Sequence, residues 1–264
     1  MRNLAEQRAS AASRARDVRR ARQARPRVRT ALARVCAGND EADDRRSRRA
    51  SVGELHIITG PMFAGKTSAL MARVAAARAR GERVFVITSA LDVERFGERA
   101  RRALVAHDGR VLEGDLGDGD LRAYEMRVRS VHGGLGDLKG ADKIACEAAD
   151  VVAVDEAQFM QDLVQFVRRC VEDRGQTVYV AGLDADYRRE RFGNVLDLIP
   201  LCDSVTRLRG TCAECGQDSL FSRCIASNGI EGVVNVGGSD KYAPACRACY
   251  LKLSREGDRL GSPR

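Results

Sequence analysis

Two short stretches of this 264-residue chain carry the residue types that bind and transfer a phosphoryl group. The first, GPMFAGKT, has the spacing G-x-x-x-x-G-K-[ST]. Glycine lets the backbone N–H groups of such a loop turn inward around phosphate oxygens. Lys66 would then reach the β- and γ-phosphates, and the Thr67 hydroxyl would bind Mg²⁺. We therefore predict a nucleoside triphosphate site formed by Gly60, Pro61, Met62, Phe63, Ala64, Gly65, Lys66 and Thr67.

The second stretch, VAVDEAQF, ends an apolar run in two adjacent carboxylates. In phosphate-loop proteins an aspartate at such a strand end is linked to Mg²⁺, which is the role predicted for Asp155. Glu156 is then free to act as a general base. The alternative is that both acids lie on the surface and cap the following helix.

A third group consists of two C-x-x-C pairs, CAEC and CRAC, separated by thirty residues. Four thiolates in this pattern suit a tetrahedral structural Zn²⁺, which predicts the ligands Cys212, Cys215, Cys246 and Cys249. Disulfides are the first alternative, although no secretory signal is recognisable. A thioredoxin-like redox pair is the second, and it would need one pair at a helix start.

These residues must be positioned by alternating strands and helices. LHIIT before the loop, RVFVIT (83–88), part of DVVAVDEAQF (150–159) and QTVYVAGLD (176–184) predict four strands. The third is almost wholly apolar, which is typical of a strand buried on both faces. Helical spacing follows the loop, at Leu70, Met71, Val74 and Ala77, and recurs at Leu163, Phe166, Val167 and Cys170. The pattern predicts an α/β fold, of the phosphate-loop (RecA-like) type, with a mostly parallel sheet and a small C-terminal zinc ribbon.

Composition divides the chain into four predicted segments. Residues 1–50 form an Arg/Ala-rich extension predicted to be disordered, 51–208 the nucleotide-binding domain, 209–252 the zinc-binding domain, and 253–264 a flexible tail. Within the second segment, residues 109–140 contain eight glycines and many acids, which predicts a long mobile surface loop.

The net charge of +8 is concentrated in the extension, where fifteen Arg face six acids and leave about −1 for the rest of the chain. The extension is interpreted as a solvated tail, an organellar transit peptide, a nucleic-acid-binding arm, or the product of an upstream start codon assigned in error.

No apolar run approaches the roughly 20 residues of a membrane span. A cytoplasmic protein without a membrane partner is expected.

Three functional classes remain open from the residues alone. A kinase would phosphorylate a small molecule, whereas a nucleic-acid-dependent ATPase would explain the helicase-like DEAQ and the zinc ribbon. Only one phosphate-loop domain fits before the cysteines, and the body is not basic, so nucleic acid is the less favoured partner. A non-catalytic nucleotide-binding scaffold is opposed by the intact Glu156.

Taken together, GPMFAGKT, DEAQF, GLDADYRRERFG, CAEC, GGSDKY and CRACY resemble the zinc-containing type II thymidine kinases of the cellular and poxviral kind. The resemblance spans about residues 53–250. It implies transfer of the γ-phosphoryl group of ATP to the 5′-hydroxyl of thymidine or deoxyuridine, with Glu156 as the base. It also implies a homotetramer with feedback inhibition by thymidine triphosphate.

The resemblance extends to the nucleotide and nucleoside contacts. Gln158 would close the Mg²⁺ side with Asp155, and Asp92 falls near a D-x-R element. The chain has one residue more than that pattern, so either Glu94 or Arg95 could occupy the position of the arginine. We assign Arg95 to it because of its charge. The residues implied for the thymine pocket are Met62, Phe159, Leu183, Tyr187, Phe192, Val233, Val234, Asn235, Val236, Gly237 and Tyr242. His107 and Asp108 match an HD pair to which no role is assigned.

Overall fold

The computed structural model describes residues 52–114, 126–131, 134–225 and 241–259, with the backbone alone at 94, 95, 137 and 255–259. The predicted extension 1–50, the end of the predicted tail, and the lasso residues Val233–Gly237 lie outside the described residues. Ser51–Arg264 form one compact unit, and the predicted boundary at residue 208 inside it stays a prediction.

A six-stranded parallel sheet is the centre of this unit, with the strand order β5–β2–β6–β7–β1–β8. The strands are β1 (Leu55–Thr59), β2 (Val84–Ser89), β5 (Met126–Val131), β6 (Val151–Val154), β7 (Thr177–Gly182) and β8 (Ser204–Arg207). The predicted α/β fold with a mostly parallel sheet is confirmed. All four predicted strands are present, and β5 and β8 are added at the two edges.

Helices cover both faces of the sheet. They are α1 (Lys66–Ala79), α2 (Leu91–Phe96), α3 (Gly140–Ala148), α4 (Leu163–Arg168), which continues as a π-helical turn Arg169–Asp173, and α5 (Arg247–Arg259). The predicted apolar faces of α1 and α4 are buried, as expected for amphipathic helices on a sheet. Gly81 and Gly175, at φ 76° and 66°, follow these two helical segments.

The core consists of two layers because neighbouring residues of each strand face opposite sides. Ile57 packs with α3 and α4, whereas Ile58 packs with α1. Phe85 and Val86 of β2 divide in the same way. Both faces of the central strands are therefore buried, which explains their continuous apolar sequences.

The prediction of a long mobile loop at residues 109–140 is wrong for those residues of the range that the structure describes. Its first residues form β4 (Val111–Glu113), which pairs with β3 (Ala103–Val105) in an antiparallel hairpin. Met126–Val131 pair with β2 from Val84↔Met126 to Ser89↔Val131 and form an edge of the main sheet. This segment escaped prediction because Arg127 and Arg129 interrupt the apolar pattern.

Two small antiparallel pairs carry the cysteine segment. β9 (Gly210–Thr211) pairs with β10 (Asp218–Ser219), and β11 (Phe221–Cys224) pairs with β12 (Tyr242–Ala245). Two-residue strands bury little apolar surface. Such a segment needs another source of stability, which a metal can supply.

Candidate active site and zinc centre

The glycine-rich loop joins β1 to α1, as the sequence predicted. Gly60 has φ 147°, and a Cβ at this position would lie 2.7 Å from the Leu208 carbonyl oxygen. Gly65 has φ 83° and immediately precedes Lys66, the first residue of α1. The Lys66 ammonium donates to the Pro61 carbonyl at 2.8 Å, which places it inside the turn of the loop. The N-terminus of a fourteen-residue helix thus faces the loop, an arrangement that suits an anion.

Asp155 follows the end of β6 and lies against the start of α1. It is 3% exposed, and its backbone N–H donates to the Ile87 carbonyl at 2.8 Å. Burial, and then the neighbouring Glu156 carboxylate, raise the pKa of the Asp155 carboxyl to about 7, although a hydrogen bond from the Thr67 hydroxyl acts in the opposite direction. The structure therefore brings together the two residues predicted to bind Mg²⁺. A buried carboxylate beside a hydroxyl provides oxygen ligands of the kind Mg²⁺ prefers.

Glu156, the predicted base, has a left-handed backbone with φ 49°. The side-chain amide of Gln158 donates to Glu156 Oε2, and Gln158 Oε1 accepts from the Leu183 backbone N–H at 3.0 Å. Behind Gln158, a Cβ at Gly193 would lie only 2.1 Å from the Gln158 carbonyl oxygen. The Glu156 carboxylate is thus held by the buried side-chain amide of Gln158. The segments that contain Leu183 and Gly193 fix the position of Gln158 in turn.

A cavity of about 370 Å³ connects the phosphate loop to an aromatic pocket. Its size falls in the range of sites for small molecules. Two aromatic pairs form part of its wall: the Phe159 and Phe192 rings meet edge to face at 5.6 Å, and the Tyr187 and Tyr242 rings lie 6.2 Å apart. The predicted site residues that line it are Met62, Phe63, Gly65, Lys66, Thr67, Glu156, Gln158, Phe159, Leu183, Tyr187, Phe192 and Tyr242.

Other predicted residues are not placed at the cavity. Asp92 lies in α2, is 9% exposed, and is not among the residues that line the cavity. The side chain of Arg95 is outside the described part, as are the lasso residues named above. Their predicted contacts stay predictions.

The structure adds a hairpin tip to the site. His107 and Asp108, between β3 and β4, line the cavity, with the His107 ring 4.7 Å from that of Phe63. Asp108 accepts from Ser68 Oγ at 3.1 Å and from the Arg110 guanidinium, which lowers the pKa of the Asp108 carboxyl. The sequence HDG between two apolar runs is a hairpin signal that could have located this tip, but not its neighbours across the sheet.

Four further lining residues, Ser68, Ala185, Asp186 and Ser222, were not predicted. Ser222 Oγ accepts from the Met62 backbone N–H at 2.9 Å, so β11 contacts the phosphate loop directly. Asp186 is buried, and its Oδ1 accepts from the backbone N–H groups of Arg188 and Glu190 at 2.8 and 2.9 Å. No local sequence signal distinguishes Ser222, because its contact with Met62 joins residues that are distant in sequence.

The four predicted zinc ligands converge. The Sγ atoms of Cys212, Cys215, Cys246 and Cys249 all lie within 4.8 Å of one another, and those of Cys215 and Cys246 are 3.7 Å apart. A tetrahedron with Zn–S bonds of about 2.3 Å has edges of roughly 3.8 Å, so the cluster fits this ion. With four protein ligands such a metal has no open position. It would hold the β9–β10 and β12–α5 elements together.

Comparison with known proteins agrees with this geometry. Residues 53–250 match the family model described as thymidine kinase. A thymidine kinase of rice is 37% identical over 202 residues, which cover 75% of this chain and 66% of the rice protein. Thymidine kinase a of Arabidopsis thaliana is 36% identical, with 77% of each chain covered.

A third relative is viral. The thymidine kinase of fowlpox virus is 32% identical over 201 residues, which cover 76% of this chain and 98% of the viral protein. The matched region includes the phosphate loop, the DEAQF segment and all four clustered cysteines.

The chain belongs to the thymidine kinase family. The resemblance inferred from the motifs is confirmed, and the family uses ATP as its phosphate donor. Membership in the thymidine kinase family does not favour the alternative of a nucleic-acid-dependent ATPase. Within the described part of the chain, no helix is both long and apolar enough to cross a lipid bilayer.

Proposed function

We propose that this enzyme transfers the γ-phosphoryl group of ATP to the 5′-hydroxyl of thymidine and of deoxyuridine, for nucleotide salvage. The observation that carries the proposal is the single cavity surface shared by Glu156, the phosphate loop and the aromatic pocket. A nucleoside bound with its base in the pocket and its 5′ end toward the loop would have the arrangement that phosphoryl transfer to that hydroxyl requires.

The catalytic step assigned to Glu156 is removal of the proton from the 5′-hydroxyl. The freed oxygen forms a bond to the γ-phosphorus as the bond to the oxygen of ADP breaks, so the products are dTMP, ADP and one proton held by Glu156. The Gln158 amide holds one carboxylate oxygen, Oε2, through its hydrogen bond.

Thr67 and Asp155 are assigned to Mg²⁺, which when bound neutralises charge on the phosphates. Their fit to a cation rests on the buried Asp155 carboxyl and its hydrogen bond from Thr67. Lys66 supplies a further positive charge at the loop. A homotetramer, feedback inhibition by thymidine triphosphate, and a cytoplasmic location belong to the same proposal and rest on the family likeness alone.

The pocket supports a preference for an uncharged planar base. Phe159 and Phe192 on one side, and Tyr187 and Tyr242 on another, offer aromatic surface for stacking. Hydrogen bonds to the edge of the base are assigned to the lasso residues 233–237. Such bonds reject cytosine, since a mismatched donor leaves a buried group unpaired.

The test is phosphorylation of thymidine, deoxyuridine and deoxycytidine by the purified full-length protein with ATP and Mg²⁺. We expect dTMP and dUMP from the parent and a loss of roughly 10²-fold or more in Glu156→Gln, as for removal of a general base. Glu172→Gln, on the exposed face of the π-helical turn, is the matched control and should retain full activity. ATP hydrolysis that requires DNA or RNA, without any nucleoside product, would contradict the proposal.

A further inference from the structure

One side chain of the zinc-binding segment is hydrogen-bonded to the wall of the nucleoside pocket. Tyr250 directly follows Cys249, and its phenolic hydroxyl donates to the backbone carbonyl of Tyr187 at 2.8 Å. The Tyr250 backbone N–H donates to the Cys246 carbonyl at 2.9 Å, within the first turn of α5. A single residue is therefore bonded to the metal-ligating turn by its backbone and to the pocket wall by its side chain.

The contact is buried and reinforced by aromatic packing. Tyr250 is 8% exposed, and the guanidinium carbon of Arg189 lies 4.5 Å from the centre of its ring. The same guanidinium lies 5.7 Å from the Phe221 ring, which is in turn 5.7 Å from that of Tyr250. A guanidinium over aromatic rings is an attractive interaction. The segment from Tyr187 to Arg189 is thus packed onto α5 and β11.

Arg189 reaches this position with a left-handed backbone, at φ 68°. A residue with a side chain adopts this conformation only at a cost in energy, which contacts with its surroundings must offset. The two aromatic rings provide such contacts. The zinc-binding segment therefore stabilises this turn, together with the hydrogen bonds that Asp186 accepts from Arg188 and Glu190.

On the other side of the turn, Tyr187 lines the cavity and packs 6.2 Å from Tyr242. Tyr242 belongs to β12, which leads directly into Cys246. Two of the aromatic residues that enclose the proposed thymine site thus depend on the elements that carry the second cysteine pair.

We propose that Tyr250 is a positioning residue for the nucleoside pocket, which couples occupancy of the cysteine cluster by zinc to the affinity for thymidine. This inference rests on the proposed function. Tyr250 does not touch the reacting atoms; it fixes the Tyr187 carbonyl, and with it the ring that packs on the base. Coupling of two binding sites is reciprocal, so bound thymidine must also retard the loss of zinc.

The first experiment compares the parent with Tyr250→Phe, which removes only the hydroxyl and keeps the ring that Arg189 covers. A hydrogen bond of this kind is worth about a 3- to 10-fold change in affinity. We expect the Kd of thymidine from calorimetry, and its KM, to rise by that factor. The kcat should stay within about twofold, and the KM of ATP and the zinc content should not change. Tyr179→Phe on β7, where the ring stacks with His56, is the matched control and should behave as the parent.

The second experiment follows zinc transfer to a chromogenic chelator with and without thymidine. Thymidine should slow the transfer several-fold in the parent and clearly less in Tyr250→Phe. If the parent forms dTMP but Tyr250→Phe binds thymidine as tightly as the parent, the inference is wrong while the proposed function stands. A parent that forms no dTMP overturns the proposed function and this inference with it.

Discussion

The side-chain amide of Gln158 donates a hydrogen bond to the carboxylate of Glu156. Gln158 is 4% exposed, and its other amide atom accepts from the Leu183 backbone at 3.0 Å, so the amide cannot rotate without losing a buried bond. The orientation of the proposed base is therefore determined by a neighbour two residues away.

Replacing Gln158 with Met should lower kcat by about 10- to 100-fold, because a hydrogen bond to a charged group contributes roughly 1.5–3 kcal/mol. Rates of dTMP formation at saturating thymidine and ATP measure this. Gln165→Met, on the exposed side of α4, is the control. Gln158→Glu should be at least as harmful, since it places a second carboxylate against Glu156. An unchanged kcat in the folded Gln158→Met variant would remove the orienting role.

Asp155→Asn should stabilise the protein at alkaline pH while it abolishes activity. The pKa of Asp155 is raised from 3.8 to about 7 in the folded state, so the folded protein disfavours the ionised carboxyl. The stability that this group contributes is present below pH 4 and is lost as pH rises through 7. In the absence of Mg²⁺ and nucleotide, we expect Asp155→Asn to gain on the order of 2–4 kcal/mol over the parent at pH 8.

The gain should decrease as the pH is lowered and be smaller at pH 5, where Asp155 is protonated in the folded parent and ionised only in the unfolded chain. Denaturant unfolding at both pH values measures it. Asp218→Asn on the exposed β10 serves as the control and should show no such dependence. An equal stability difference at pH 5 and pH 8 would show that charge burial is not its cause.

Gly193→Ala should destabilise the protein far more than Gly81→Ala. Both glycines have positive φ, at 61° and 76°, but a Cβ at Gly193 would lie 2.1 Å from the Gln158 carbonyl oxygen, whereas a Cβ at Gly81 would meet open space. Gly81→Ala should cost about 1 kcal/mol for the backbone conformation alone, and Gly193→Ala several kcal/mol in addition. Thermal unfolding of the two variants provides the comparison, and similar losses would contradict the close contact.

Cys246→Ser should lower the zinc content below one ion per chain and destabilise the protein by several kcal/mol. Structural zinc contributes roughly 10–16 kcal/mol to small metal-dependent folds, and here it joins elements of only two to four residues to α5. Metal analysis and thermal unfolding check both effects. Cys202→Ser, outside the cluster, is the control with unchanged zinc. A full zinc content in Cys246→Ser would exclude that thiolate as a ligand.

The central strands could be predicted because each is covered on both faces. Val151–Val154 of β6 are fully apolar, and the strand appears where the sequence places it. The edge strands gave no such signal. All four residues of β8 are exposed, and β5 alternates Arg with smaller residues, so neither has the apolar run by which a buried strand is recognised.

The residues of the candidate site likewise fall into those that a local sequence pattern could predict and those that it could not. The phosphate loop, Asp155 and Glu156 could be predicted because strand, motif and helix are adjacent in sequence. His107, Asp108 and Ser222 could not be assigned, since they reach the cavity from a hairpin and a short strand whose packing depends on long-range contacts. The aromatic pocket was implied only by family resemblance, because each of its residues could equally be part of the core. Only Tyr187 and Phe192, in a polar arginine-rich stretch, were unexpected for core residues.

The hydrogen bond from the Met62 backbone to Ser222 has an evolutionary consequence. The strand that follows the first cysteine pair provides an acceptor, 2.9 Å away, to the loop that precedes α1. A chain cut after Leu208 would leave that N–H without this acceptor, and a ribbon grafted from a distant relative would have to reproduce it. Recombination that separates the two halves is therefore disfavoured, and they should be inherited as one block.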